Sequence, residues 1–197
     1  MLVEGEKLPN VKFNIRIRVK DSDTTCDRNG DCGDAYDWGE LTIDECFLGK
    51  KCILIALPGC FTPTCSSTHL PGYNSLYDEF KKQGIDDIYC ISVNDSFVFN
   101  EWMKSLDMAE NKVSGDRLFS GIQPIPDGTG EFTQKVGMGC FWGTERGFGY
   151  RSWRYSAYVD NGVVQKIFVE KPFVQNSKDD PFEVSDANTM LEYLQTI

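Results

Sequence analysis

The chain's only histidine and two of its eight cysteines lie within one short stretch, LPGCFTPTCSSTHLPGY, at residues 57–73. A cysteine becomes a nucleophile once its thiol loses a proton, and a helix N-terminus or a nearby cation favours that loss. Cys65 follows Thr-Pro-Thr and is the first candidate for such a nucleophile. Because a lone cysteine is more often a small buried residue, the elements around Cys65 must decide between the two roles.

A buried strand and a helix are predicted on either side of Cys65. Residues 51–59 form a short, continuous apolar run ended by Pro-Gly, which is typical of a strand buried on both faces of a sheet. Leu70, Tyr73 and Phe80 follow at helical spacing. Cys65 is therefore expected just beyond the carboxyl end of a strand and at the start of a helix, where open α/β sheets gather their ligand sites.

The loop that leads to Cys65 is stiffened by Pro58 and Pro63, whose rings fix the backbone and shield the sulfur from bulk water. Thr62, three residues before the cysteine, can turn its hydroxyl toward the sulfur. Pro71 predicts a kink or an offset in the first part of the helix. These residues make the position suitable for an activated nucleophile.

Other segments predict the rest of an α/β fold with a mixed central sheet and helices on both faces, a thioredoxin-like arrangement in a single domain, 1–197. Thr42 or Asp44 caps a short helix, and Asn94 or Asp95 caps a longer one. Asn161-Gly162 marks a tight hairpin turn. The predicted strands are 11–20, 85–94 and the two arms of the hairpin at 152–169; the predicted helices are 41–47, 94–106 and 185–195; and 117–138 is predicted as a strand, a turn and a short helix.

Residues 21–37 are acidic and carry Cys26 and Cys32, and we interpret them as a long loop or the tip of a hairpin inserted in the domain. A metal site was the competing interpretation. The segment lacks the fixed acid positions and the terminal glutamate of a calcium loop, and the chain is too poor in histidine for an ordinary zinc site. No metal and no cofactor are expected.

Composition excludes several classes of function. The formal net charge of −10 and the pI of about 4.6 oppose binding to nucleic acid, which requires clustered cations. We find no apolar stretch long enough to span a membrane and no pattern of a signal peptide. We expect a cytoplasmic protein, whose thiols stay mostly reduced, and partners that are small molecules or other proteins.

The stretch PGCFTPTCSSTHLPGY closely resembles the active site of peroxiredoxins, with Pro58, Thr62 and Cys65 in the Pro-x-x-x-Thr-x-x-Cys signature. The continuation THLPGY is similar to the peroxiredoxin-5 class, also called type II. Two departures are Cys60, where the family usually has alanine, and the longer, more acidic segment 21–37. Further similar blocks follow in the family's order, and the resemblance covers most of 38–195: YCISVND, GTGEFTQKVGM and RSWRYSAYVDNGVV.

The resemblance implies a thiol peroxidase that reduces hydrogen peroxide and organic hydroperoxides. Cys65 is then the peroxidatic thiolate, which is oxidised to sulfenic acid, while Thr62 and the Cys65 backbone N–H hold the peroxide. Arg154 matches the family's arginine; Arg151 is the fallback and is otherwise a solvated surface charge. His69 is interpreted as part of the local structure, because a thiolate needs no imidazole to remove its proton.

The resemblance leaves the second half of the cycle open. Cys90 lies 25 residues after Cys65, a spacing similar to that of the second cysteine in plant type II peroxiredoxins, but its pattern is that of a core residue. Cys60 and Cys140 are weaker candidates for a resolving thiol. If none of them acts, the reductant is external: glutaredoxin with glutathione, or thioredoxin.

The family also implies a homodimer formed through loops around the active site, and Phe61, Phe97 and Phe148 are apolar residues in segments that suit such an interface. Two other functions stay open from the sequence. A thiol-disulfide oxidoreductase would require Cys-x-x-Cys, whereas this chain has four residues between Cys60 and Cys65. A redox-sensing or inactive relative with the same fold is the other.

Overall fold

The computed structural model describes residues 1–18, 36–109 and 118–197. Strands β1 (Lys12–Arg18) and β2 (Tyr36–Thr42) pair antiparallel, which confirms the strand predicted near the N-terminus. The acidic segment lies outside the described residues except for Tyr36 and Asp37, which belong to β2 and not to a loop. The remaining prediction for that segment stays a prediction.

A five-stranded sheet forms the centre of the fold, in the order β5-β4-β3-β8-β9. Strands β3, β4 and β5 run parallel, β8 is antiparallel to β3, and β9 is antiparallel to β8, so the predicted mixed sheet is confirmed. The apolar runs in β3 and β4 are buried on both faces, as predicted. The strands are β3 (Lys51–Ala56), β4 (Asp87–Ser92), β5 (Gln123–Pro126), β8 (Tyr155–Asp160) and β9 (Val163–Val169).

Both faces of the sheet are covered. One face packs against β1, β2 and the short helices α1 and α5; the other packs against α2, α3, α4 and α6. Alternate residues of a strand serve opposite faces, so that Tyr89 points to the first side and Cys90 to the second. The helices are α1 (Ile43–Phe47), α2 (Leu70–Ser75), α3 (Tyr77–Lys82), α4 (Ser96–Ser105), α5 (Glu131–Lys135) and α6 (Ala187–Leu194).

Helix ends follow the side chains that cap them. Thr42 and Glu45 form a capping box at α1, and the carboxylates of Asp95 and Asp186 accept backbone N–H bonds at the starts of α4 and α6. The predicted helices at these three places are confirmed. Among the described residues, no helix has the length and apolar character needed to cross a bilayer.

The helix after Cys65 is less regular than its sequence pattern indicated. It opens with a π-helical turn, Cys65–His69, in which the Leu70 N–H donates to the Cys65 carbonyl. Pro71 has no N–H for the usual helical bond to Ser67, and the wide turn beside it accommodates that loss. The predicted offset near Pro71 is confirmed, but the helix also breaks at Leu76, between α2 and α3.

The predicted hairpin at 152–169 turns at Asn161-Gly162, where both residues have positive φ, as expected. Its first arm, however, is not one strand. Strand β7 (Tyr150–Ser152) pairs with β6 (Gly139–Phe141) in a separate two-stranded sheet, and Trp153 leaves the line of the strand to pack against Trp142, with ring centroids 4.6 Å apart. Arg154 therefore stands between β7 and β8 and belongs to neither.

Candidate active site

The segment between β3 and the π-helical turn is held by its own hydrogen bonds. The Thr62 hydroxyl donates to the Gly59 carbonyl (2.7 Å), and the Ser66 N–H donates to the Thr62 carbonyl (3.0 Å). Phe61 adopts a positive φ of 59°, which is rare for a bulky residue and marks a tight reversal of the chain. Pro58 is buried at the start of this segment. The segment carries the chain from β3 to Cys65, whose side chain is fully buried.

Arg154 meets Cys65 inside the protein. Its Nη1 lies 3.5 Å from the Cys65 Sγ, and both side chains are fully buried. Tyr155 pairs with Ala56 at the end of β3, so neighbouring strands bring the two residues together although 89 positions separate them. A buried guanidinium beside a sulfur stabilises negative charge there, because little water is present to screen it.

Three further side chains surround the guanidinium. Nη1 also lies 3.1 Å from the His69 Nδ1, and Nη2 donates to the carboxylate of Asp180. The guanidinium carbon lies 5.6 Å from the ring centre of Phe182. Arg154 is therefore fixed by a base, an acid and an aromatic ring while one nitrogen faces the sulfur.

His69 is fully buried and its Nε2 lies 3.2 Å from the Ser185 carbonyl oxygen. Burial, and after it the positive charge of Arg154, lowers the pKa of His69 to about 3. The imidazole is therefore neutral at physiological pH. Its ring nitrogens are engaged by Arg154 and Ser185, in agreement with its assignment to local structure and not to proton removal from Cys65.

The segment that contributes Asp180, Phe182 and Ser185 is anchored by Glu170. The buried carboxylate of Glu170 accepts the backbone N–H groups of residues 183–185 at 2.8–3.0 Å and the Ser185 hydroxyl at 2.7 Å. Sequence reasoning missed all four residues, because their contacts with the site span up to 116 positions and follow no local motif.

The other candidate cysteines are buried. Burial raises the pKa of Cys60 and of Cys140 to about 12 and that of Cys90 well above its usual range. Cys60 and Cys90 share the hydrophobic cluster of Cys65, whereas Cys140 packs in another one with Trp142 and Trp153.

The alternative prediction for Arg151, a solvated surface charge, is wrong. The side chain is half-buried, its Nε donates to the Phe148 carbonyl (2.9 Å), and its Nη1 lies 3.5 Å from the Val93 carbonyl oxygen. A side chain at Gly59 would place Cβ only 2.9 Å from this Nη1, so Arg151 packs directly on the segment before Cys65. It supports the site from the side, while Arg154 contacts the sulfur.

The three phenylalanines singled out in the sequence differ in exposure. Phe61 and Phe97 expose 58% and 57% of their surface, while Phe148 is half-buried beneath Arg151. Phe97 contacts the exposed Trp38 ring edge-on, with 5.4 Å between centroids. Within the described ranges, no group of three His, Cys, Asp or Glu side chains is arranged to hold a metal ion.

Comparisons with known proteins show which proteins the chain is similar to. The redoxin family model matches residues 4–191. A peroxiredoxin of Synechocystis sp. is 44% identical over 190 residues, covering 96% of this chain and 90% of the relative. The hybrid peroxiredoxin hyPrx5 of Haemophilus influenzae is 48% identical over 193 residues, which are 98% of this chain and 66% of that protein. The crystal structure of the Plasmodium falciparum antioxidant protein, a 1-Cys peroxiredoxin, has a TM-score of 0.79 at 36% identity and covers 98% of this chain and 100% of that one.

Proposed function

Since the chain belongs to the peroxiredoxin family and is a thiol peroxidase with the thioredoxin-like fold, we propose that Cys65 is the thiol that reacts with the peroxide. The observation that carries this assignment is the 3.5 Å contact between the Cys65 Sγ and the Arg154 Nη1, made by two fully buried side chains.

The proposed reaction is a displacement on oxygen. The Cys65 thiolate attacks one peroxide oxygen, so that an S–O bond forms while the O–O bond breaks. The other oxygen leaves with the bonding electron pair and takes up a proton, giving water from hydrogen peroxide or an alcohol from an organic hydroperoxide. The sulfur is oxidised to sulfenic acid and the peroxide is reduced.

Three residues assist this step. Arg154 stabilises the thiolate and the negative charge that develops on the oxygens, with donors that are already in place. The Thr62 hydroxyl gives its hydrogen to Gly59, so its oxygen keeps its lone pairs for the O–H of a peroxide. Pro58, buried at the end of β3, fixes the course of the segment that presents Thr62.

We propose that an external thiol, from glutaredoxin with glutathione or from thioredoxin, reduces the sulfenic acid. Cys90 lies within β4, and a disulfide from it to Cys65 would require the π-helical turn to open. Cys140 lies in a separate cluster, and the raised pKa of Cys60 makes it a poor nucleophile. The name of the Plasmodium relative, a 1-Cys peroxiredoxin, supports this arrangement.

The assembly and location are also proposals. The exposed rings of Phe61 and Phe97 suit a homodimer interface around the active site. A reducing, cytoplasmic compartment suits the six free cysteines among the described residues. The binding partners are then a hydroperoxide, a reducing protein and a second copy of the chain.

A single experiment tests the assignment of Cys65. The reduced protein is oxidised with one equivalent of hydrogen peroxide; one half is trapped with dimedone and the other is left untrapped, and each cysteine peptide of both digests is analysed by mass spectrometry. We expect the dimedone adduct of the sulfenic acid on Cys65 and none on Cys60 or Cys90, and no disulfide in the untrapped half. A disulfide between Cys65 and either of them would overturn the external-reductant proposal, and oxidation elsewhere with Cys65 intact would overturn the assignment itself.

A further inference from the structure

His69 is a buried ionisable group for which the peroxide reaction described above has no task. Its side chain is fully buried. Its Nδ1 lies 3.1 Å from the Arg154 Nη1, and its Nε2 lies 3.2 Å from the Ser185 carbonyl oxygen. It contacts two aromatic rings at tilted angles, with centroids 5.0 Å from Phe182 and 5.9 Å from Tyr73. The contact with Arg154 connects it directly to the nitrogen that faces the sulfur.

The partners of His69 determine where its proton lies. A carbonyl oxygen can only accept a hydrogen bond, so Nε2 carries the hydrogen that it donates to Ser185. A guanidinium nitrogen can only donate, so Nδ1 offers a lone pair to Arg154. Nη1 has two hydrogens, and it can give one to Nδ1 and the other to the Cys65 Sγ.

We propose that His69 is a positioning residue for peroxide reduction, a permanently neutral imidazole whose Nδ1 holds the Arg154 Nη1 against the Cys65 sulfur. This inference rests on the proposed role of Cys65 as the reacting thiol. Being neutral, His69 orients the guanidinium without cancelling its charge, which Asp180 on Nη2 partly does. A proton on Nδ1 would remove the acceptor and place a second cation beside Arg154.

The hydrogen-bond chain continues to Glu170. Its carboxylate gathers the N–H groups of residues 183–185 and so fixes the direction of the Ser185 carbonyl. That carbonyl also accepts a bond from the Tyr73 hydroxyl (3.0 Å). The same tautomer of His69 is therefore imposed whenever this segment is in place.

Among the described residues, the negative groups near His69 are each engaged by other partners, and the proposed Cys65 thiolate is one of them, since it is paired with Arg154. Arg154 repels a proton from the imidazole. The carboxylates of Asp180 and Glu170 are engaged by Arg154 and by backbone N–H groups, and Asp186 caps α6. Burial also raises the pKa of Tyr73, so its phenol stays protonated.

Two substitutions separate the two contacts of the imidazole. In His69→Asn, the amide oxygen takes the place of Nδ1 and keeps an acceptor for Arg154. In His69→Gln, the amide N–H takes the place of Nε2 and keeps only the bond to Ser185. The measurement is the second-order rate of Cys65 oxidation by hydrogen peroxide, followed through tryptophan fluorescence. Trp102 is a suitable reporter, because its Nε1 donates to the Ser66 hydroxyl beside Cys65 (2.9 Å).

We expect His69→Gln to be about ten-fold slower or more, in line with loss of one hydrogen bond to a charged group, and His69→Asn to stay within about three-fold of the unmodified protein. A merely structural role for the ring predicts equal losses in both variants. Equal rates for His69→Gln and the unmodified protein would overturn the inference, whereas a Cys65→Ser variant that still reduces peroxide would overturn the proposed function instead.

A second measurement requires no variant. Because the chain contains one histidine, the imidazole signals in ¹⁵N NMR spectra belong to His69 alone. We expect a neutral ring with the hydrogen on Nε2 and no titration between pH 8 and pH 5. A hydrogen on Nδ1, or titration with an ordinary midpoint near pH 6.5, would contradict the proposal.

Discussion

Cys65 and Cys90 lie in the same hydrophobic cluster, and both side chains are fully buried. Cys90 is surrounded by apolar residues within β4, and burial raises its pKa well above the usual range. Cys65 is equally excluded from water but has the Arg154 Nη1 at 3.5 Å. The comparison teaches that burial alone makes a thiol inert. A buried cation beside the sulfur instead stabilises the thiolate, because the exclusion of water leaves their attraction unscreened.

The cation itself must be held in place. Burial of an arginine costs less free energy when its charge is paired and its donors are engaged. Asp180 supplies the charge and His69 an additional acceptor, and no corresponding group is seen at Cys90 among the described residues. The difference between the two cysteines is therefore produced by the segment after β9 as much as by the sequence around each sulfur.

The largest expected effect comes from exchanging the sulfurs themselves. Cys65→Ser should abolish peroxide reduction, because the serine hydroxyl is a far weaker nucleophile than a thiolate at neutral pH. The rate of Cys90→Ser should stay within about two-fold of that of the unmodified protein. Both variants are assayed for peroxide consumption with glutaredoxin and glutathione, and separately with thioredoxin. Loss of the thioredoxin-coupled activity alone in Cys90→Ser would make Cys90 a resolving thiol and contradict the contrast drawn here.

Removal of the cation should make the reactivity of Cys65 more similar to that of Cys90. Arg154→Ala should slow oxidation of Cys65 by about a hundred-fold or more, by analogy with the loss of one preorganised donor to a developing charge. Arg154→Lys should recover part of the rate, since a lysine restores the charge but not the separate contacts of Nη1 with Cys65 and of Nη2 with Asp180. Stopped-flow fluorescence measures the rates, and Arg146→Ala, at an exposed arginine, is the matched control. A rate for Arg154→Ala equal to that of the control would refute the role of the guanidinium.

Alkylation compares the thiols directly. A pKa of about 12 leaves Cys60 and Cys140 protonated at pH 8, and their labelling should rise only as the pH approaches that value. With iodoacetamide at pH 7–8, Cys65 should react at least about ten-fold faster than these two, as determined by mass spectrometry of each peptide. The preference should shrink in Arg154→Ala. Equal labelling of Cys60 and Cys65 in the unmodified protein would show that the cation does not set the difference.

The smallest effect is expected at Asp180. Asp180→Asn keeps an oxygen for the Arg154 Nη2 but removes a negative charge that opposes the thiolate. Because the Asp180 side chain is 35% exposed, we expect oxidation of Cys65 to accelerate by only about two- to five-fold. Stopped-flow rates between pH 5.5 and pH 8 test this. A slower variant would show that the carboxylate acts through orientation and not through its charge.

The sequence was sufficient for the parts of the site that local patterns encode. The apolar run of β3, the prolines before Cys65 and the caps of α1, α4 and α6 each depend on neighbouring residues, and the structure contains them. Arg154 was found through the family resemblance, and its contact with Cys65 follows from the pairing of β3 with β8.

The parts that were missed depend on contacts distant in the sequence. The break at Trp153 arises because its ring packs on Trp142 and not in the sheet, which alternation of residue types cannot reveal. Asp180, Phe182 and Ser185 reach the site through a segment without regular structure, held by a carboxylate in Glu170. The π-helical turn had one local signal, Pro71, which indicates irregularity but not its form.

The antiparallel pairing of β3 with β8 also restricts how this gene can change in length. Arg154 stands one residue before Tyr155, and consecutive residues there point to opposite sides of the sheet. Deletion of one codon next to Tyr155 would transfer the guanidinium to the far side of the sheet without removing it. We therefore expect active homologues to tolerate insertions and deletions in other connections between strands, and to keep the spacing between Arg154 and β8 unchanged.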